Sequence, residues 1–246
     1  MKHMKWIVLA VITALTVSSC FIDINDDDGL FGGCVHGNGP IVSQEFILPQ
    51  IYGIVVSLPA NVFITQGPEQ EIIVEGEENI LDEIDLNIRN GIWEVETRRC
   101  VRDVYQLQIF ITLPMIEELS ILGSGSIVSE NLLDVEDLFL SIPGSGHIDL
   151  AVDADDIDAE IPGSGNIYLE GVADKVDLNI TGSGDYKAYN LDSNDSDIRI
   201  SGSGNAWVRV FDYLRVRISG SGTVRYRGYP DVDVSITGSG RVVDDN

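Results

Sequence analysis

Bases are scarce in this chain. Fifteen Lys and Arg stand against 40 Asp and Glu in 246 residues, a net charge of −25. A surface of that sign repels phosphate backbones, which excludes nucleic-acid binding. Cysteine and histidine are rare as well, three of each and widely scattered. That is too few for a multi-ligand zinc or haem site, so neither a metal nor another cofactor is expected. No apolar run is long enough to span a bilayer: the N-terminal one, residues 6–17, has 12 residues where a span needs ~20. No window carries a 3.6-residue apolar stripe, so helices do not build this fold. The Gly-x-Gly-x-x-Gly dinucleotide fingerprint is missing too. With 44% hydrophobic residues, the chain still has enough apolar material for a core.

The N-terminus carries an address. Lys2 and Lys5 precede the short apolar run, which Ser18, Ser19 and Cys20 follow. Two bases, a short hydrophobic stretch and small residues make a secretory signal. The sequence Val17-Ser18-Ser19-Cys20 resembles the lipobox of bacterial lipoproteins, which makes Cys20 the lipidation site and residues 1–19 a signal peptide. Residues 20–40 hold Asp23, Asp26, Asp27, Asp28 and five glycines, the composition of an acidic, Gly-rich tether rather than a fold element. Without residues 1–19, thirteen bases face forty acids, a net −27. Cys34 and Cys100 then remain as an even pair in an oxidising compartment, where a disulfide is favoured over two free thiols.

From there on the chain repeats itself. Gly-Ser-Gly occurs seven times, starting at Gly123, Gly144, Gly163, Gly182, Gly202, Gly220 and Gly238, at steps of 21, 19, 19, 20, 18 and 18 residues. Isoleucine stands two residues before every triplet: Ile121, Ile142, Ile161, Ile180, Ile200, Ile218 and Ile236. Small or branched apolar residues stand four before and mostly apolar ones two after. Period-two alternation on both sides of each triplet means strand, bend, strand, with one face buried. One unit of ~20 residues cannot bury its apolar face alone, whereas stacked units bury a continuous column. The expected fold is therefore all-β, a parallel β-solenoid of Gly-Ser-Gly coils. Glycine belongs at the corners because successive turns approach there too closely for a Cβ, and the intervening Ser can bond to a neighbouring turn. A β-propeller would need blades of ~40–45 residues. Residues 41–246 read as a single solenoid domain: residues 41–115 are irregular coils with a turn at Asn90-Gly91 that cap the N-terminal end, and residues 116–246 are the regular repeats.

The segment Asn61-Val62-Phe63-Ile64-Thr65-Gln66-Gly67, then Glu78-Asn79-Ile80-Leu81, the repeated Gly-Ser-Gly, and Tyr226-Arg227-Gly228-Tyr229-Pro230 together resemble the head GIN domain family of putative autotransporter adhesins. The resemblance covers roughly residues 41–245. It implies a right-handed parallel β-helix on a secreted or lipid-anchored bacterial protein, and it brings no catalytic residues with it.

Candidate chemistry is sparse. The densest carboxylate group is Asp153, Asp155, Asp156 and Asp158, with Asp149 and Glu160 nearby. A β-helix polysaccharide lyase or hydrolase would work with such acids, so a carbohydrate-active enzyme centred on Asp155 is the alternative function. These acids alternate with Val152, Ala154, Ile157 and Ala159, the pattern of a solvated strand face, and no Lys or Arg occurs between Asp103 and Asp174. His147 stands alone, and the serines of the triplets have no His-Asp pair. Tyr168, Tyr186, Tyr189, Trp207, Tyr213, Tyr226 and Tyr229 offer rings for packing or for sugar stacking. Residues 199–241 hold seven Arg against three Asp, a basic far end beyond the acidic middle. There Arg225, Tyr226, Arg227, Tyr229 and Arg241 form the expected contact surface, for a second copy or an acidic partner, with capping of the last coil as the plainer role. The expectation overall is a non-enzymatic, adhesin-like binding or structural module. It is held to the outer membrane or cell surface by its lipid, with a second copy, a protein or a glycan as partner.

Overall fold

The computed structural model describes residues 33–246. The body Cys34–Asn246 is a β-solenoid of stacked parallel coils with a single short helix, Glu78–Leu81. From Glu118 onward each strand pairs in parallel with its equivalent one coil later. One inner ladder runs Leu119, Leu140, Ala159, Leu178, Ile198 and Val216, all fully buried. The isoleucines before the triplets run beside it, buried from Ile121 to Ile218. Truncating a side chain of either ladder leaves a cavity between coils, at a cost of about 2–5 kcal/mol.

The Gly-Ser-Gly corners are backbone ladders. The Ser145 N–H donates to the Gly123 carbonyl at 3.0 Å, Ser164 to Gly144 at 3.0 Å and Ser183 to Gly163 at 3.0 Å. The residue after the triplet repeats this, as His147 N–H does to Gly125 and Asn166 N–H to Gly146, both at 3.1 Å. The hydroxyls themselves face solvent: it is the main chain of each serine that binds the neighbouring turn.

A second corner lies halfway round each coil. Strand His147–Ile161 alternates inward and outward except at Asp155-Asp156, where two successive residues face out. Asp174-Lys175 and Asn194-Asp195 repeat this slip in strands Asn166–Ile180 and Asp185–Ile200. A slip in parity turns the chain while keeping its apolar face inward.

Stacking order departs from chain order at the N-terminal end. Strand Gly53–Val56 lies between Ile92–Val95 and Glu118–Ile121, and Asn61–Gln66 lies between Leu107–Leu113 and Ser126–Ser129. The chain thus lays down the second rung first, then travels outward to add the terminal rung, then returns. Residues 41–115 do cap the stack, but not as coils in sequence. The terminal rung has its open edges closed by antiparallel strands, Glu71–Glu77 on Leu107–Leu113 and Ile88–Arg89 on Ile92–Val95. Strand Ile41–Glu45 covers Glu71–Glu77 in turn. Antiparallel cover blunts an edge that would otherwise recruit another chain. The Ile88–Val95 hairpin turns at Asn90 and Gly91, with φ of 53° and 75°, the pair of positive values that a type I′ turn needs.

One large polar side chain sits in the core. Tyr186 replaces the isoleucine found at the equivalent Ile148 and Ile167 and is fully buried, its hydroxyl without a hydrogen-bond partner. Burial pushes its pKa up. A buried, unsatisfied hydroxyl costs about 1–3 kcal/mol. Tyr186→Phe is accordingly expected to raise the thermal midpoint, with a gain of about 1 kcal/mol in chemical denaturation. A loss of stability would show that the hydroxyl has a partner.

Candidate functional site

Cys20, the signal segment and the run Asp26, Asp27, Asp28 lie outside the described residues. Cys34 and Cys100 are joined by a disulfide with a Cα–Cα distance of 4.6 Å. Beside it Val35 pairs with Val101 and His36 with Arg102. The bridge fastens the start of the described chain to the N-terminal cap.

The carboxylates around Asp155 lie on the outer face. Asp153, Asp155, Asp156 and Asp158 are all exposed, and parallel register sets Asp137 against Asp156 and Asp158 against Asp177. Their own coil has no cation, but the next one brings Lys175 directly opposite Asp156. Lys175 donates to Asp177. Asp137, Asp156, Asp158, Lys175 and Asp177, with Glu136, line an open groove of about 760 Å³ that leaves Asp153 and Asp155 outside. The hydrogen bond to Asp177, with its charge and those of Asp156 and Asp197, holds the Lys175 pKa above the ordinary lysine value. A lyase base must lose its proton near neutral pH, and this lysine is held in the opposite sense. Among the described residues no group of three or more His, Cys, Asp or Glu is placed to hold a metal ion. His147 is exposed.

The aromatic residues separate into different roles. Tyr186 is core, Tyr226 is half-buried against the core, Tyr213 lies beside Arg215, and Tyr229 is 89% exposed. Tyr168, Tyr189 and Trp207 instead line a groove of about 440 Å³ with Asp149, Glu170 and Lys187. Tyr168, Lys187 and Trp207 stand in register on three successive coils. The Lys187 ammonium lies 4.9 Å from the centre of the Tyr168 ring and 5.8 Å from that of Trp207. It also donates to the Tyr168 hydroxyl at 3.3 Å. The coil from Gly182 to Gly202 is a residue longer than its two predecessors, and the register slips between Ala188 and Asp192. Tyr189 and Asn190 both face outward at that bulge, which is how Tyr189 reaches the groove. The sequence shows the rings, but their convergence depends on coil register and on the bulge.

At the C-terminal end, two arginines of the expected contact surface make contacts within the chain, Arg225 half-buried and Arg227 exposed. Arg225 Nη1 pairs with Asp245 Oδ1 at 3.0 Å, and the Arg227 guanidinium lies 4.1 Å from the centre of the Tyr189 ring. The Tyr189 hydroxyl donates to Asp245 Oδ2 at 2.6 Å. That bond, with the charge of Arg225, holds Asp245 below the usual carboxylate range. Burial, then the same bond, pushes Tyr189 up to about 12. Asn246 exchanges bonds with the Gly228 backbone at 2.9 and 2.8 Å. Arg225 and Arg227 thus take part in a clasp on the final coil. Arg241 and Tyr229 are exposed. Three further arginines of the basic end share one carboxylate: Asp197, its side chain 14% exposed, faces Arg199 at 2.7 Å, Arg215 at 3.6 Å and Arg217 at 3.5 Å. Beyond the clasp, strand Asp231–Gly238 is exposed throughout, with the inward-parity Val232, Val234 and Ile236 about 40% open.

Residues 52–230 match the model of the family described as "Putative auto-transporter adhesin, head GIN domain". No curated protein is similar enough in sequence to count as a relative. Among solved structures, a putative adhesin from Bacteroides fragilis aligns with a TM-score of 0.80 at 22% identity, over 85% of this chain and 99% of that one. A putative lipid binding protein from Parabacteroides distasonis aligns at 0.72 and 22%, with the same coverage. A putative adhesin from Parabacteroides merdae aligns at 0.70 and 20%, again over 85% and 99%. At these identities the likeness speaks for the fold.

Proposed function

The chain belongs to the head GIN domain family, and on that premise we propose that it is a lipid-anchored, non-enzymatic binding module displayed on the cell envelope. The observation that carries this reading is where the chemistry sits. The interior is filled by buried ladders, so a ligand must meet the outer face, where rings, carboxylates and an ammonium converge between Asp149 and Trp207. A solenoid suits such a role because it holds a lateral surface rigidly on regular strands. The family name and the adhesin names of similar structures point the same way. The Cys20 lipobox supplies the anchor, and the disulfide fits an exported chain.

The carbohydrate-active enzyme centred on Asp155 gains little support, since Lys175 is held protonated beside its acids. Cleavage of an acidic or neutral glycan, lost in Asp156→Asn, would restore it. For the anchored module, Cys20→Ala is expected to abolish lipid labelling and to move the protein from the membrane to the soluble fraction. Protease treatment of intact cells is expected to remove the wild-type solenoid. A Cys20→Ala chain that stays membrane-bound at the wild-type level would sink the anchor, and full protection in intact cells would sink surface display.

A further inference from the structure

We propose that the lateral groove between Asp149 and Trp207 is a glycan subsite that takes neutral hexopyranose units. The inference rests on the reading of the chain as a binding module and names the ligand class of that site. Its volume, about 440 Å³, lies in the lower part of the ~300–1,000 Å³ range of small-molecule sites. It is open along the surface, which suits one or two rings of a chain that enters and leaves rather than a buried metabolite.

The lining alternates apolar ring surface with hydrogen-bonding groups, as a sugar does. Tyr168 and Trp207 sit two rungs apart, roughly 10 Å at ~4.8 Å per rung, and both are only half-buried. Their exposed surface matches the C–H faces of a pyranose, which gain from contact with a flat ring without a cost in side-chain freedom. Asp149 and Glu170 are exposed carboxylates that accept from sugar hydroxyls, and the Asn190 amide both donates and accepts.

The third wall is held in place before any ligand arrives. Tyr189 stands on the bulge and is fixed from the far side by its bond to Asp245 and by Arg227 over its ring. A wall fixed in this way loses little freedom on binding.

Charge selects among sugars. Two carboxylates against one ammonium leave the groove net negative, on a chain of −25. Lys187 is committed to the Tyr168 hydroxyl and to both rings and lies 3.8 Å from Asp185. Sulfated and uronic-acid polymers are therefore repelled. Cationic ligands meet the like charge of the Lys187 ammonium, which lies beside both rings. A neutral sugar meets neither obstacle.

Tryptophan fluorescence reads the groove selectively. Of the three tryptophans, Trp6 lies in the leader and Trp93 is fully buried, leaving Trp207 as the half-exposed one. The mature lipidated chain from Cys20 onward, which lacks Trp6, is purified in detergent and titrated with neutral gluco-, manno- and galacto-oligosaccharides and, for comparison, with polygalacturonate and heparin. At least one neutral series is expected to shift the Trp207 emission and to bind by calorimetry. Trp207→Ala is expected to weaken that binding about tenfold or more, and Glu170→Gln to weaken it less, with unchanged circular dichroism and thermal midpoint. Glu160→Gln, on a different face of the coil, is expected to leave it unchanged. If no neutral oligosaccharide binds, if the polyanions bind better, or if folded Trp207→Ala binds as the wild type does, the subsite is wrong. Cell fractionation and protease accessibility are read independently of all these outcomes, so failure of the subsite is distinct from failure of the displayed module.

Discussion

Gly182→Ala is expected to destabilise the solenoid by about 3 kcal/mol, at or beyond the top of the usual range for overpacking. Ser183→Ala, one residue on, is expected to fall within about 0.5 kcal/mol of wild type. A Cβ on Gly182 would stand 1.8 Å from the Gly163 carbonyl oxygen and 2.6 Å from that of Pro162. Both are backbone atoms of the coil beneath, and the neighbouring Ser183 N–H donates to that same Gly163 carbonyl. Neither carbonyl can retreat without lengthening the corner ladder that ties the two coils. The φ of Gly182 is not in the left-handed region, so the cost is one of space, not backbone strain. Ser183 presents its side chain to solvent and its backbone to the ladder, so losing the hydroxyl removes no contact between coils. Chemical denaturation of the two variants separates these effects. Equal losses, or a tolerated Gly182→Ala, would mean that the corners do not set the coil spacing.

The same ladder explains why the repeats were legible. A corner that admits only glycine, flanked by residues that must point inward, writes a fixed spacing into the chain, and stacking copies it. The second corner left a fainter mark, the successive outward pairs Asp155-Asp156, Asp174-Lys175 and Asn194-Asp195, which period-two reading passes over because any polar residue serves there. The N-terminal order was not legible. Strand Gly53–Val56 takes partners from Ile92–Val95 and from Glu118–Ile121, and nothing in its own alternation tells a strand which rung lies on either side. The candidate site falls between these cases. Tyr168, Tyr189 and Trp207 are plain in the sequence, yet they meet through coil register and one bulge. The clasp of Arg225 and Arg227 was not legible, because their partners, Asp245 and Tyr189, are 20 and 38 residues away along the chain.

Replacing Cys34 and Cys100 together by Ser is expected to cost about 2–5 kcal/mol, and the loss should fall on the N-terminal cap. The bridge closes a loop between residues 66 apart in sequence, long enough that its removal restores much freedom to the unfolded chain. Within that loop lie the first-laid rung, Gly53–Val56 and Asn61–Gln66, the covering strand Glu71–Glu77 and the hairpin that supplies Ile92–Val95. Strand Leu107–Leu113 follows just outside the loop and relies on Glu71–Glu77 to close its edge. Untying the loop therefore loosens the cover before the rod. Hydrogen exchange is expected to quicken at Glu71–Glu77 and Leu107–Leu113, while amides of Asn166–Ile180, in the middle of the stack, keep their protection. Reduction of the wild-type chain should reproduce the same pattern. Uniform loss along the rod would mean instead that the cap and the coils fold as one unit, and no loss at either place would mean that the strand pairing alone holds the cap.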